Sequence, residues 1–204
     1  MAGTISATAG EYLRGLGQLC GRLDAAAVER LADQIFEAWV DDRQVIVFGN
    51  GGSASTAGHF VTDLVKTACV EGQRRLRAIS LVDNYGLTTA LGNDVAYDQT
   101  LAFPLETYAR PGDLAIAISA SGNSPNVVNA CLWAKAHGVK LAGLTGCDGG
   151  RVAQLVETHI NVPSDNFGFI EDLHLSINHM VSQILKARVT AHAAANRAHR
   201  GQPA

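Results

Sequence analysis

Four short stretches of this 204-residue chain concentrate side chains able to do chemistry. "GNGGSAS" (49–55) and "SASGNS" (119–124) each follow an aliphatic run, VIVF in one case and AIAI in the other, and each leads into an amphipathic segment. Glycines let the backbone turn and approach a ligand closely, a serine can cap the following helix, and free amides at a helix start favour an anion. Hydroxyls without a lysine suit a phosphate monoester on a small molecule. The GxxxxGK[ST] loop of nucleotide triphosphate sites is absent, and "GNGGSA" is not the GxGxxG of dinucleotide sites. Either loop alone would pass for a turn with Ser53 or Ser124 as a helix cap; two matched loops favour a ligand cradle.

The other two stretches carry acids and imidazoles. "HFVTD" sets His59 and Asp63 four residues apart, on one face of a helix that starts at the first loop. "EDLHLSINH" offers Glu171, Asp172, His174 and His179 on a second helix. Two imidazoles and two carboxylates from two helices make a plausible site for zinc or a similar divalent ion. Glu171 and His179 are eight residues apart, roughly 12 Å along a regular helix axis, so they share an ion only by reaching toward each other. That is easiest with Glu171 in the first turn. His174 is expected to support Glu171 or to face a neighbouring subunit, and is kept out of the ligand set. His137, His159, His192 and His199 lack acidic or glycine context and read as surface residues. Asp148, in "GCDGG", reads as a turn or cap residue, and "RRLR" (74–77) as a solvated edge or subunit contact.

The elements that must position these groups follow from periodicity. Residues 1–42 read as helical, with Val28, Leu31, Ile35, Phe36 and Trp39 at helical spacing. Residues 44–49, 78–82, 114–119, 141–146 and 158–163 are short apolar or β-branched runs, as expected of strands covered on both faces. Helical patterns at about 53–67, 124–137 and 149–156 separate most of them, and 168–199 reads as one long helix with a frayed "RGQPA" end. The expectation is an α/β fold with a parallel sheet of about five strands, forming a single domain over 1–204, with ligands beyond the carboxyl ends of the strands. A formal net charge of -3 and a pI near 6.1 give no basic field for nucleic acid, and no apolar run is long enough to span a membrane. The amino terminus lacks the features of an export signal, and Cys20, Cys69, Cys131 and Cys147 match neither a zinc knuckle nor a disulfide framework. A reduced, cytoplasmic protein is expected. Leu13, Leu16, Ile35, Trp39, Leu175, Met180 and Ile184 could not all be hidden in a monomer, which points to a symmetric homo-oligomer.

"GNGGSASTAGHF", "GND" (92–94), "ISASGNSPNVV" and "LTGCDGG" (144–150), in this order, resemble the sugar isomerase (SIS) domain family, and within it the phosphoheptose isomerases. The resemblance runs from about residue 40 to 185. It implies a flavodoxin-like three-layer sandwich, assembled as a tetramer with active sites between subunits, that interconverts sedoheptulose 7-phosphate and a mannoheptose 7-phosphate. It also implies that Ser119, Ser121 and Ser124, with the backbone at Ala120, hold the phosphate, while Asn50, Gly51, Gly52, Ser53, Asn93 and Asp94 line the sugar. The zinc positions of the family correspond to His59, Asp63, Glu171 and His179.

Moving a carbonyl between C1 and C2 needs a base, an acid and an electrophile that steadies the enediolate. Asp63, Glu171 and His179 are the candidates for proton exchange. Two of these depart from the family, where glutamate and glutamine commonly stand at the positions of Asp63 and Glu171; a shorter acid at 63 and an added carboxylate at 171 raise the prospect of exchanged roles. Thr67 and Gly168 replace a commonly found arginine and aspartate. The alternative is a non-catalytic relative that senses a phosphosugar or binds a protein such as a replication initiator. His179 argues against it, because such relatives tend to lack that histidine.

Overall fold

The computed structural model describes residues 5–199. Five strands, β1 (Gln44–Gly49), β2 (Arg77–Ser80), β3 (Leu114–Ser119), β4 (Lys140–Gly146) and β5 (Thr158–Val162), form one parallel sheet in the order β2-β1-β3-β4-β5. Successive strand side chains point to opposite faces, so continuous apolar runs feed two cores at once. Val45 and Val47 pack with helices α2 (Ala25–Val40), α3 (Gly52–Thr62) and the long α8 (Phe167–His199). Ile46 and Phe48 face the other side, against α5 (Ala102–Tyr108) and α6 (Pro125–Ala136). The result is the expected flavodoxin-like α/β/α sandwich.

The chain runs from β1 outward to β2 and then crosses back to β3 on the far side of β1. This makes β1 and β3 the switch point of the sheet, where loops part and leave a crevice. Gly49 pairs in register with Ile118, so the two glycine-serine loops emerge side by side.

Several expectations are refined. The first helical segment is two helices, α1 (Ala9–Cys20), opened by a Thr8–Glu11 capping box, and α2, capped by Asp24. The helix placed at 53–67 ends at Thr62 and continues as a π-helical turn, Asp63–Thr67, in which the Ala68 amide reaches back to the Asp63 carbonyl at 2.8 Å. The helix placed at 149–156 is only α7 (Gly150–Ala153). Between β2 and β3 lie α4 (Tyr85–Asp94), a 3-10 turn (Tyr97–Gln99) and α5, none of them foreseen. Of α4 only Leu91 is buried, so it has no apolar stripe to read, and Pro104 masks the short α5.

Ile35 and Trp39, expected at a subunit face, are buried within the chain. The Trp39 indole donates to the Arg74 carbonyl at 2.9 Å, and the Arg74 guanidinium lies over its ring. "RRLR" is therefore partly structural, with Leu76 buried and Arg77 bonded to the Asp42 carbonyl. His159 and His192 are half-buried rather than at the surface. His159 meets the Thr145 hydroxyl at 2.6 Å, and His192 lies edge-on to Phe36 and Trp39. His137 is exposed, stacked on Trp133. The His199 side chain and the "RGQPA" end lie outside the described residues.

Candidate functional site

Each glycine-serine loop ends at a helix that its own side chains leave uncapped. α3 begins after Gly51, whose φ of 55° suits glycine, and α6 after Ser124 with Pro125 at its first position; neither has a side-chain cap bond. The serines therefore do not cap, contrary to the simple reading; at the start of α6, Pro125 brings no amide and the Val127 amide donates to Asn126 Oδ1 at 3.0 Å. Ser119 is buried and its Oγ accepts from the Gly122 amide at 3.1 Å. Ser121 Oγ accepts from the Asn123 amide at 3.2 Å. Ser121, Ser124 and Ala120 are half-buried, and Ser53 is buried behind Gly49.

The second loop is buttressed from behind. Gly122 has a φ of 63°, and a Cβ there would collide with the Gly149 carbonyl. The Val152 amide donates to the Gly122 carbonyl at 3.0 Å and the Arg151 amide to Asn123 Oδ1 at 3.0 Å. Asp148 is a turn residue, as expected, accepting from the Gly150 amide at 3.1 Å.

A pair of asparagines ties the two loops together. Asn50 Nδ2 donates to Asn126 Oδ1 at 2.8 Å, and Asn126 Nδ2 returns a bond to Asn50 Oδ1 at 2.9 Å. Asn126 also donates to Thr100 Oγ1, and the Tyr97 hydroxyl reaches Asn50 Oδ1 at 3.3 Å. Asn126, Thr100 and Tyr97 escaped the sequence reading; "NSPN" read as a helix start, and only the fold brings Asn126 to Asn50.

His59, Asp63 and His179 converge where α3 meets α8. The two Nε2 atoms are 3.0 Å apart, and Asp63 Oδ2 lies 3.4 Å from His59 Nε2 and 3.6 Å from His179 Nε2. Ligands at about 2.0–2.1 Å around a tetrahedral zinc stand roughly 3.3 Å from one another, which this triangle approximates. Two imidazoles and one carboxylate suit zinc and leave a coordination position open. The other Asp63 oxygen accepts from Thr67 Oγ1 at 2.9 Å. Both imidazoles are about half exposed, at 47%, while the aspartate is 14% exposed.

Glu171 is not part of this triangle. It lies in the first turns of α8, as expected, but its carboxylate presses on Gly52, where a Cβ would collide with it. It thus sits over the first loop and the uncapped start of α3. Asn93 and Asp94 are exposed at the end of α4 and bond to each other at 2.6 Å; no bond joins them to either loop among the described residues. His174 turns into the core, its Nε2 against the Thr145 carbonyl at 3.0 Å, so it neither supports Glu171 nor faces outward. Burial lowers its pKa to about 4. Burial likewise pushes the Cys131 thiol up to about 12 and raises that of Cys147; all four cysteines are free. Among the described residues no helix is long and apolar enough to cross a membrane.

The SIS domain family matches residues 11–146. Phosphoheptose isomerase from Geotalea daltonii is 38% identical over 179 residues, covering 88% of this chain and 91% of that protein. Among solved structures, phosphoheptose isomerase from Neisseria gonorrhoeae superposes with a TM-score of 0.79 at 28% identity, covering 87% of this chain and 94% of that one. The enzyme of the same name from Francisella tularensis gives 0.80 at 27%, covering 87% and 96%.

Proposed function

The chain belongs to the SIS domain family, and from that membership and the geometry of its two loops we propose that it is an aldose-ketose isomerase of the phosphoheptose isomerase type. The substrate pair is sedoheptulose 7-phosphate and D-glycero-D-manno-heptose 7-phosphate. The observation that carries the reading is the His59–Asp63–His179 triangle on helices tied to the glycine-serine loops: α3, which bears His59, starts at the first loop, and Gly49 pairs with Ile118 so that the two loops emerge side by side. Relatives named as isomerases over most of their length favour turnover over a sensor or a protein-binding module.

Ser119, Ser121 and Ser124 bind the phosphate, with Ala120 contributing backbone. Asn50, Gly51, Gly52 and Ser53 line the sugar, joined by Asn93 and Asp94. His59, Asp63 and His179 would hold a divalent ion, zinc by donor type, which when bound would polarise the sugar oxygens during enediolisation. Asp63 is committed to this cluster: one oxygen faces both imidazoles and the other accepts from Thr67. Glu171, beside Gly52, is the carboxylate left to move the proton between C1 and C2. It takes the proton from one carbon and returns it to the next while the hydroxyl proton passes from the oxygen on one carbon to the oxygen on the other, so the reaction consumes no acid or base overall.

The whole chain acts as one domain in the cytoplasm, within a homotetramer. Purified protein is expected to convert sedoheptulose 7-phosphate, to carry about one divalent ion per subunit, and to lose turnover with a chelator. Intact folding with no metal and no conversion of any C5 to C7 phosphosugar would refute the reading.

A further inference from the structure

The isomerase reading gives α1 no part in the chemistry, yet α1 is fitted closely to the start of α8. The Tyr12 hydroxyl donates to Asp172 Oδ2 at 2.7 Å. Its ring meets Phe169 at an angle of 62° with centroids 4.6 Å apart. Two glycines, one on each helix, make this approach possible. A Cβ on Gly15 would come within 2.7 Å of the Phe169 ring, and a Cβ on Gly168 within 2.8 Å of the Tyr12 hydroxyl oxygen. Phe169 and Asp172 flank Glu171 in sequence, so this contact grips the stretch of helix that carries the carboxylate onto Gly52.

The phenol is raised to about 12, by burial first, then by the Asp172 hydrogen bond and charge, and also by the charge of Glu171. It therefore stays protonated and donating at neutral pH, and it stands close enough to Glu171 to feel its charge.

We propose that Tyr12 is a positioning residue for the isomerisation, holding the first turns of α8 so that Glu171 rests at the mouth of the first loop. The proposal rests on Glu171 being the carbon base. Reacting groups tolerate little displacement: a shift of about 1 Å costs on the order of 100-fold in rate. A glutamate reaches its target through a flexible stem, so the helix start beneath it must be held. The Tyr12–Asp172 bond supplies a hold that apolar packing between Phe169 and Gly15 cannot, because it opposes rotation of α8 about its axis.

The test is a kinetic cycle on the full-length protein with sedoheptulose 7-phosphate. Tyr12→Phe keeps the ring and is expected to lower kcat about tenfold with KM within about twofold, a split that general loosening would not produce. Glu171→Gln is expected to abolish most turnover, and adding Tyr12→Phe to it should cost nothing more, since placement of an absent base is irrelevant. Gly168→Ala, which pushes the hydroxyl off Asp172, should reproduce the Tyr12→Phe loss, and in the Tyr12→Phe background should be silent. It also reads the same displacement should Tyr12→Phe fold poorly. Wild-type kcat in both Tyr12→Phe and Gly168→Ala, or losses that multiply in the double variant with Glu171→Gln, would overturn the positioning role alone. Full activity in Glu171→Gln would overturn the base assignment and the proposal with it.

Discussion

Asp63 and Glu171 are both acids of the candidate site, and their surroundings differ. Asp63 is largely buried and accepts from Thr67 while facing two imidazoles; Glu171 faces a glycine and the uncapped start of a helix. Both candidates were visible in the sequence, but their different surroundings were not, because four-residue spacing on a helix says nothing about what packs opposite. His174 is a sharper case: a polar residue in "EDLHLSINH" that the fold buries completely. Its pKa falls from 6.5 to about 4. Between these values the unfolded chain binds a proton that the folded chain refuses, so this contribution to stability is complete above pH 6.5 and is lost as pH falls toward 4. At pH 4.5 the loss is on the order of 2–3 kcal/mol. His159, also lowered by burial, acts in the same direction. Melting curves of wild type and His174→Gln at pH 7 and pH 4.5 check this: the variant is expected to lose less stability on acidification, and equal losses would contradict it.

At the scale of elements, the five strands were legible because continuous apolar runs have one economical use in an α/β chain, burial on both faces. α4 and α5 were not, since one helix buries a single leucine and the other is seven residues long with a proline. The π-helical turn at Asp63–Thr67 was also invisible; "DLVKT" has no glycine or proline to announce it, and the packing of α3 and α8 decides it. The loops show how strictly an element can depend on one backbone atom. Gly122 combines a φ of 63° with a neighbouring carbonyl where a side chain would go. Gly122→Ala is expected to cost about 2–4 kcal/mol from left-handed backbone strain and overpacking together. Phosphosugar affinity should fall tenfold or more, measurable by calorimetry with sedoheptulose 7-phosphate alongside a thermal melt. Unchanged affinity in a folded variant would remove the second loop from the phosphate site.

At the scale of the molecule, part of the predicted subunit face has moved indoors. Ile35 and Trp39 are core residues, while Leu13 is 67% exposed, Met180 37% exposed, and Leu16, Leu175 and Ile184 half-buried. α1 and α8 thus retain an apolar margin, and two imidazoles of the candidate metal site stand half open to solvent beside it. Light scattering is expected to give four copies of the 21.4 kDa chain, and Leu13→Asp with Met180→Asp to shift the assembly toward smaller species with lower turnover. A fully active monomer would rule out a shared site. The amino-acid order alone determined the parallel α/β sheet, the two glycine-serine loops, and the two helices bearing acids and imidazoles, because each depends on periodicity or on residue types within a few positions. Only the tertiary structure decided that His59, Asp63 and His179 meet, that Glu171 stands apart over Gly52, and that Asn50 and Asn126 lock the loops. Those relations join residues 76 to 120 positions apart, and such distances are set by how helices and strands pack, not by any pattern within them.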